Sequence, residues 1–331
     1  KGKSLPSIYG ANEPQVNSNN LRTKGYELVL GWRDSFELAG SAFSYGITGS
    51  FSDYTAKYTK CDNPSGLIGG PYVGKKYGEI WGYKVDGLFR NDEEAAEYAS
   101  RVDLSKVAAG YYSATGAYGK GVRGGDIKYL DLDGSGIVDG GKGTLEDPGD
   151  RRVIGNSSPR YQYGASLNFS WYGFDVSVFM QGIGRLDWYP GADNLRFWGP
   201  YCRPYATFVP KNFMSQVWSE ENPDAYFPRA RAYTSLNSNS GTAYYTNDRY
   251  LQNLAYCRLK NLTIGYTIPR RLTSKVGIKE CRIYFSGENL ATWSALKSDF
   301  LDPEQAAADS DKKANVYPWC KTYSIGLNLT F

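Results

Sequence analysis

Histidine is absent from the 331 residues. That excludes, within this chain, a Ser-His-Asp triad, a Cys-His dyad, imidazole metal ligands and a histidine pH switch. Methionine occurs twice and cysteine five times, at Cys61, Cys202, Cys257, Cys281 and Cys320. No two cysteines stand in a C-x-x-C pair and their number is odd, so neither a zinc motif nor a disulfide framework is indicated. Charge of one sign is also scarce: 38 Lys and Arg face 34 Asp and Glu, a net +4 dispersed along the chain, which is no nucleic-acid footprint. There is no initiating Met, no signal peptide and no apolar run near the length of a membrane-spanning helix, and Lys1 is expected to be an internal position of a longer precursor. A β-barrel is untouched by these absences, because its strands carry only a weak alternating signal.

What the sequence has in quantity is Tyr (29), Phe (14), Trp (8) and Gly (38), a composition of strands and tight turns. The final nine residues show the pattern most plainly. Apolar side chains fall at Tyr323, Ile325, Leu327, Leu329 and Phe331, with Ser324, Gly326, Asn328 and Thr330 between them. A period of two gives one apolar and one polar face. A soluble sandwich strand alternates too, but soluble domains usually end in a polar, frayed tail. A last strand bounded by Tyr323 and Phe331 resembles the sorting signal that barrel-assembly machinery reads in bacterial outer-membrane proteins.

The same alternation recurs at 24–33, 36–54, 160–171, 172–182, 250–268 and 279–290. A turn is expected at Arg33-Asp34-Ser35, a bulge between Leu38 and Phe43, and a hairpin turn at Tyr172-Gly173. The apolar faces end in aromatics (Trp32, Trp171, Tyr323, Phe331), as at membrane interfaces. With Phe331 at the periplasmic rim, the short connections fall on the periplasmic side. The long ones, 55–159, 183–249 and 291–319, fall outside, which is the asymmetry of outer-membrane barrels. The strand-like segment Glu79–Phe89 breaks this parity as a crossing and is placed in the first outer region. The expected fold is therefore all-β: a transmembrane antiparallel barrel segment of about seven spanning strands. Seven is odd, and open edges are not tolerated in lipid, so this reads as the C-terminal part of a larger barrel.

Several longer runs resemble one family. They are Gly125-Asp-Ile-Lys-Tyr-Leu-Asp-Leu-Asp-Gly-Ser-Gly-Ile-Val-Asp139, Asp150-Arg-Arg-Val-Ile-Gly-Asn156, Tyr161 to Gly182, Arg258-Leu-Lys-Asn-Leu-Thr-Ile-Gly-Tyr-Thr-Ile-Pro269, Ser286-Gly-Glu-Asn-Leu290 and the closing strand. Leu5-Pro-Ser and Asn20-Leu-Arg-Thr-Lys-Gly-Tyr-Glu27 fit as well. In this order they resemble the SusC-like (SusC/RagA) TonB-dependent transporters. The resemblance implies a plugged barrel of about 22 strands, with the plug and the TonB-contacting part outside this chain. It also implies a SusD-like surface lipoprotein as lid, a dimer of transporter–lipoprotein pairs, and active import of oligosaccharides or, in some members, peptides.

Asp131-x-Asp133-x-Ser135-Gly136-Ile137-x-Asp139 matches much of an EF-hand-like calcium loop: oxygen ligands at loop positions 1, 3, 5 and 9, Gly at 6 and a carbonyl, from Ile137, at 7. Position 12 is Lys142, which cannot ligate, and Asp150 is the candidate that takes its place after an insertion. A structural calcium is one reading; a turn whose Asp and Ser side chains bond their own backbone is the other. No catalytic cofactor is indicated.

The outer regions carry aromatics and arginines. Trp188, Trp198, Arg196, Arg203, Trp218 and Trp293 are candidates for contact with cargo or lid, against the alternative that the aromatics pack loop on loop. Cys61 and Cys202, both in outer regions, are the only cysteine pair left open. Nothing in the spacing of carboxylates selects a catalytic pair, so no enzyme is expected. A passive porin and a soluble carbohydrate-binding sandwich are the competing readings: a plug upstream would exclude the first, and extraction without detergent would favour the second.

Overall fold

The computed structural model describes residues 17–112, 121–202, 209, 211–231, 236, 241, 243–298, 301–306, 317 and 319–331. Leu5-Pro-Ser and Arg203 lie outside the described residues. The strands are β1 (Asn20–Leu38), β2 (Ser41–Lys60), β3 (Glu79–Tyr83), β4 (Val85–Leu88), β5 (Ile127–Tyr129), β6 (Arg151–Asn156), β7 (Arg160–Trp171), β8 (Phe174–Arg185), β9 (Asp187–Trp188), β10 (Gln252–Asn253), β11 (Tyr256–Thr267), β12 (Glu280–Ser294) and β13 (Thr322–Thr330). Seven of them form one antiparallel sheet in the order β1-β2-β7-β8-β11-β12-β13. The order follows the chain, so each strand pairs with the next sheet strand and no crossover is needed.

Register shows what the alternation builds. Residues directly opposite in an antiparallel pair point to the same face. One row across all seven strands reads Trp32, Ile47, Leu167, Val178, Leu262, Gly287, Tyr323. The adjoining row reads Arg33, Gly46, Asn168, Ser177, Thr263, Ser286, Ser324. The first row is apolar apart from a glycine and the second is polar or glycine, so the wall has an apolar and a polar face from edge to edge. Two aromatic groups bound the apolar face on β1, β2 and β7. Tyr26, Phe51 and Tyr161 meet near one end (centroids 6.0 and 6.4 Å apart), and Phe36, Phe43 and Tyr45 near the other (5.2 to 6.4 Å). Ten residues from Tyr26 to Phe36 span ~33 Å along the strand, or ~25 Å at a barrel tilt of about 40°, the height of a barrel's apolar band.

The short connections lie at one edge. Ala39-Gly40 (φ 51° and 79°) and Tyr172-Gly173 (φ 48° and 82°) both carry two positive φ values, the geometry that matches hairpin twist. The expected turn at Arg33-Asp34-Ser35 is therefore displaced to Ala39-Gly40, and the parity slip between Leu38 and Phe43 is that turn, not a bulge. Arg33, Asp34 and Ser35 are strand residues; the Asp34 carboxylate accepts the Ser35 N–H at 2.8 Å. Trp32 consequently sits inside the apolar face, its indole N–H donating to Tyr45 Oη (3.2 Å), and does not close the strand.

All three long connections lie at the opposite edge, and there they form the molecule's packed core. Phe89, Leu104, Val107, Ile127, Tyr129, Val138, Trp198, Tyr201, Tyr250 and Leu254 are buried together, while β1 and β13 are exposed along almost their whole length. The first and second connections interlock. Tyr83 N–H donates to Thr246 O (2.8 Å), Asp248 N–H to Tyr83 O (3.2 Å), and Lys84 pairs with Asp248 (3.0 Å). β3 and β4 belong to two small sheets of this cap, pairing with β6 and β5. Helix α1 (Asp92–Arg101) starts where the Asn91 side chain accepts the Glu94 N–H (2.9 Å) and buries Ala95 against the core. The five cysteines form no disulfide, so Cys61 and Cys202 are not joined.

Candidate functional site: the cap and the inner wall

The cap holds the acidic loop. Asp131, Asp133 and Asp150 bring one carboxylate oxygen each to within 4.8 Å of one another. Asp150 is fully buried and accepts three backbone N–H groups, from Leu132 (2.6 Å), Asp133 (3.4 Å) and Asp139 (2.9 Å). Asp131 accepts Gly134 and Gly136 N–H at 2.8 and 2.9 Å. The structure thus brings Asp150 to the first two loop acids, Asp131 and Asp133. Asp139 stands outside this cluster, its Oδ1 accepting the Gly141 N–H (2.7 Å), and the Ser135 hydroxyl donates to the Ile137 carbonyl (3.0 Å). Burial pushes the Asp150 carboxyl above the usual range, because three N–H donors do not replace full hydration. Three converging carboxylates form an all-oxygen donor set that suits a hard cation.

The aromatic candidates divide by exposure. Trp198 is completely buried, its indole N–H donating to Gly191 O (3.0 Å) and its ring packed edge-on against Tyr250 (5.0 Å). Trp188 is buried in the short β9–β10 ladder. Trp218 is buried under the Arg229 guanidinium, 4.5 Å from its ring. The faces of these three rings are taken up by protein, which is the loop-packing alternative, and each contributes the large buried area of a core aromatic. Arg196 is exposed on the cap. Trp293 is 57% exposed but stands opposite Cys257, which lies opposite Gly182 in the apolar row of β8, so its side chain is on the outward apolar face and not on the polar side where Thr292 meets Arg258.

One constellation escaped the sequence reading. Arg258, 1% exposed, donates Nη2 to Asp302 (2.5 Å), Nη1 to Glu304 (2.8 Å) and Nε to Thr292 Oγ1 (2.9 Å). Lys260 reaches the same Glu304 carboxylate at 2.8 Å. Pairing shifts on both sides of β11 between Leu259 and Asn261, and this bulge at Lys260 turns the second cation toward the same acid. The short helix Pro303–Ala306 is thereby latched to the polar face of the wall beneath the cap. Its sequence signal was Arg258-x-Lys260 near the cap end of a strand, with Asp302-Pro-Glu304 in the following connection.

Toward the turn edge, the polar face carries Arg33, Ser35, Ser44, Asn168, Ser170 and Ser177 around one hollow. Asp175 on β8 and Arg282 on β12 join across β11 (Oδ1–Nε 2.8 Å), and they do so over Gly265, where any Cβ would collide with both. The wall's polar face therefore carries hydrogen-bonding and charged groups from the cap end to the turn edge.

No family model matches the chain. Over 99% of its length it is 24% identical to TonB-dependent receptor P3 and 25% identical to TonB-dependent receptor P26, both of Formosa agariphila. It spans 30% and 31% of those two proteins. Among solved structures, 99% of the chain superimposes on 31% of a chain from the RagAB peptide transporter, with a TM-score of 0.61 and 19% identity. A second match, to the RagAB peptide importer in its open-open state, has a TM-score of 0.59 and 18% identity. The chain is similar in sequence to TonB-dependent receptors and in fold to about a third of the RagAB chains it matches. The relatives are named receptors and transporters, not enzymes.

Proposed function

We propose that this chain is the C-terminal barrel segment of a SusC-like TonB-dependent transporter of the bacterial outer membrane. It supplies seven wall strands and an outer cap to a plugged barrel of about 22 strands, which imports oligosaccharides or peptides. The observation that carries this reading is the seven-strand wall, apolar on one face and polar on the other, with every long connection at one rim. The likeness to TonB-dependent receptors over 99% of the chain supports it. Energy comes from TonB through the part of the protein outside this chain. A SusD-like lipoprotein closes over the cap, and two such pairs form a dimer. Exposed Arg196 is the contact residue for cargo or lid on this side, Trp293 belongs to the outward face near the outer rim, and Tyr323 and Phe331 bound the strand presented to the assembly machinery.

The test uses the full-length protein in its own cell. Expected are outer-membrane fractionation, co-purification of one surface lipoprotein, and uptake of a labelled oligosaccharide or peptide that stops when TonB is deleted. Uptake that continues without TonB would mean a passive pore, and extraction into buffer without detergent would return the chain to a soluble sandwich.

Calcium at Asp131, Asp133 and Asp150 is the structural role we assign to the acidic loop. In the purified transporter, millimolar calcium should protect the 125–156 segment from trypsin and EDTA should reverse it; Asp133→Asn should weaken the effect about tenfold, the scale of one lost charge-assisted contact. The pH dependence follows from Asp150. Its folded pKa is raised, so in the cation-free loop this carboxyl favours folding below its unfolded value of 3.8 and ceases to as pH rises through its folded pKa. Calcium needs the ionised form, so calcium protection should weaken as pH falls through that raised value. Equal trypsin sensitivity with calcium and with EDTA would refute the site.

A further inference from the structure

Above the aromatic group Tyr26–Phe51–Tyr161, the outward face of the wall changes character. Even positions of β1 share the apolar face, and the β1–β2 register is unbroken from Leu21 to Leu38. Continuing outward from Tyr26, that same face carries Lys24 opposite Thr55, then Arg22 opposite Lys57. An isolated antiparallel bridge places Lys76 opposite Lys57. Three cations thus stand side by side across three strand-like lanes, with Lys24 one row below. All four side chains are exposed. Like charges directly opposite one another in a sheet are destabilising. Two acids lie close by: Asp53, opposite Tyr26, is held by Arg160 in a two-bond pair, 2.5 Å each, and Glu79 accepts the Lys76 backbone N–H (3.3 Å) together with the Tyr72 hydroxyl and the Trp81 indole N–H.

Height decides what can neutralise the stripe. With ~3.4 Å per residue and a tilt of about 40°, Lys24 lies ~5 Å and Arg22 ~10 Å beyond Tyr26 along the membrane normal. The headgroup layer of a bilayer adds ~5–8 Å to each side of the hydrocarbon core. Flexible Lys and Arg stems reach down into that layer. The cations therefore sit at the level of lipid headgroups, directly over the aromatics that mark the hydrocarbon border, and on the face turned away from the lumen.

We propose that Arg22, Lys57 and Lys76, assisted by Lys24, bind the phosphate of a phosphorylated glycolipid in the outer leaflet. The inference rests on the outer-membrane reading above. The site is built by register: two neighbouring strands and the returning 74–78 segment, which bonds to β2 through Tyr58 N–H to Lys75 O (3.0 Å) and Tyr77 N–H to Ala56 O (2.9 Å), hold the three cations in one row. A bound phosphate turns a repulsive row into one of charge-assisted contacts. It would tether an annular lipid to the wall at the foot of the cap.

The experiment uses the full-length transporter, stripped of lipid in detergent and probed by native mass spectrometry and thermal shift. The probes are purified phosphorylated outer-membrane glycolipid, the same lipid after phosphatase treatment, and inorganic phosphate. The expected result is retention and thermal stabilisation by the phosphorylated lipid alone. The triple variant R22Q/K57Q/K76Q should bind it about a hundredfold more weakly, at about fivefold per basic residue. The control K106Q/K142Q/K211Q, three exposed cap lysines, should bind as the parent does. Equal binding by the triple variant, or equal binding of the dephosphorylated lipid, overturns the inference. Full competition by inorganic phosphate overturns the lipid as its ligand. Fractionation and heat-modifiable mobility of each variant are scored separately. A protein that reaches the outer membrane but shows no lipid preference overturns this inference and leaves the import reading standing, whereas a protein that never reaches it overturns both.

Discussion

Leu262→Arg is expected to lower the unfolding free energy of the wall by about 2–4 kcal/mol, while Thr263→Arg, one residue on, changes it by less than about 1 kcal/mol. Leu262 lies between Val178 and Gly287 on the apolar face, four residues above the aromatic pair Phe174–Tyr266. That is ~10 Å from the hydrocarbon border at barrel tilt, close to the midplane, where a cation on the lipid face is most costly. Thr263 lies between Ser177 and Ser286 on the polar face, where an added guanidinium finds water and hydroxyls. The measurement is reversible urea unfolding of the full-length protein in bilayers, followed by tryptophan fluorescence. Equal losses from the two variants would contradict the assignment of faces, and the reverse order would place the lumen on the other side.

Arg231→Ala should destabilise the cap by about 3–5 kcal/mol and leave the wall folded. Arg231 and Asp126 are 3% and 1% exposed and form a two-bond pair, Nε–Oδ1 2.9 Å and Nη2–Oδ2 2.5 Å, with the guanidinium 4.1 Å over the Tyr111 ring. Removing the arginine leaves a carboxyl in a dry core. Burial already pushes Asp126 upward and Arg231 opposes that push, so in the variant the acid takes up a proton more readily. Its folded pKa then lies further above the unfolded 3.8. Such a group favours folding at pH below the unfolded value and loses that contribution as pH rises through the folded value. The variant's deficit should therefore be smaller near pH 4 than at pH 8. The double replacement Arg231→Met with Asp126→Leu should recover most of the loss, because the pair's desolvation cost disappears with its attraction. Limited proteolysis of the cap across pH reads both outcomes; a deficit independent of pH would show that lost packing on Tyr111, not the stranded acid, is responsible.

Much of the wall was legible because lipid demands a strict period of two, and that period survives in single residues such as Ile325, Leu327 and Leu329. Turn placement was less so. Arg33-Asp34-Ser35 has turn composition, but lumen-facing strand residues have the same composition, and only the paired positive φ angles at Ala39-Gly40 decide. The cap resisted reading for a different reason. Aromatic residues that stack on a ligand and those that fill a core are chemically alike, so Trp188, Trp198 and Trp218 could be named but not sorted by exposure. The Arg258 latch needed a bulge at Lys260 and an acid 44 residues away, a distance that no local pattern spans.

The distribution of apolar contacts between cap and wall dictates an order of events. The cap's core is assembled from segments that lie between successive hairpins; on the proposed outer-membrane placement, each is carried across the membrane before it packs. On that placement, strand insertion precedes hydrophobic collapse of the cap, the reverse of a soluble protein's sequence of steps. Until then those aromatic segments need chaperone protection on the periplasmic side, and their exposure time is set by how fast the wall's hairpins zip together.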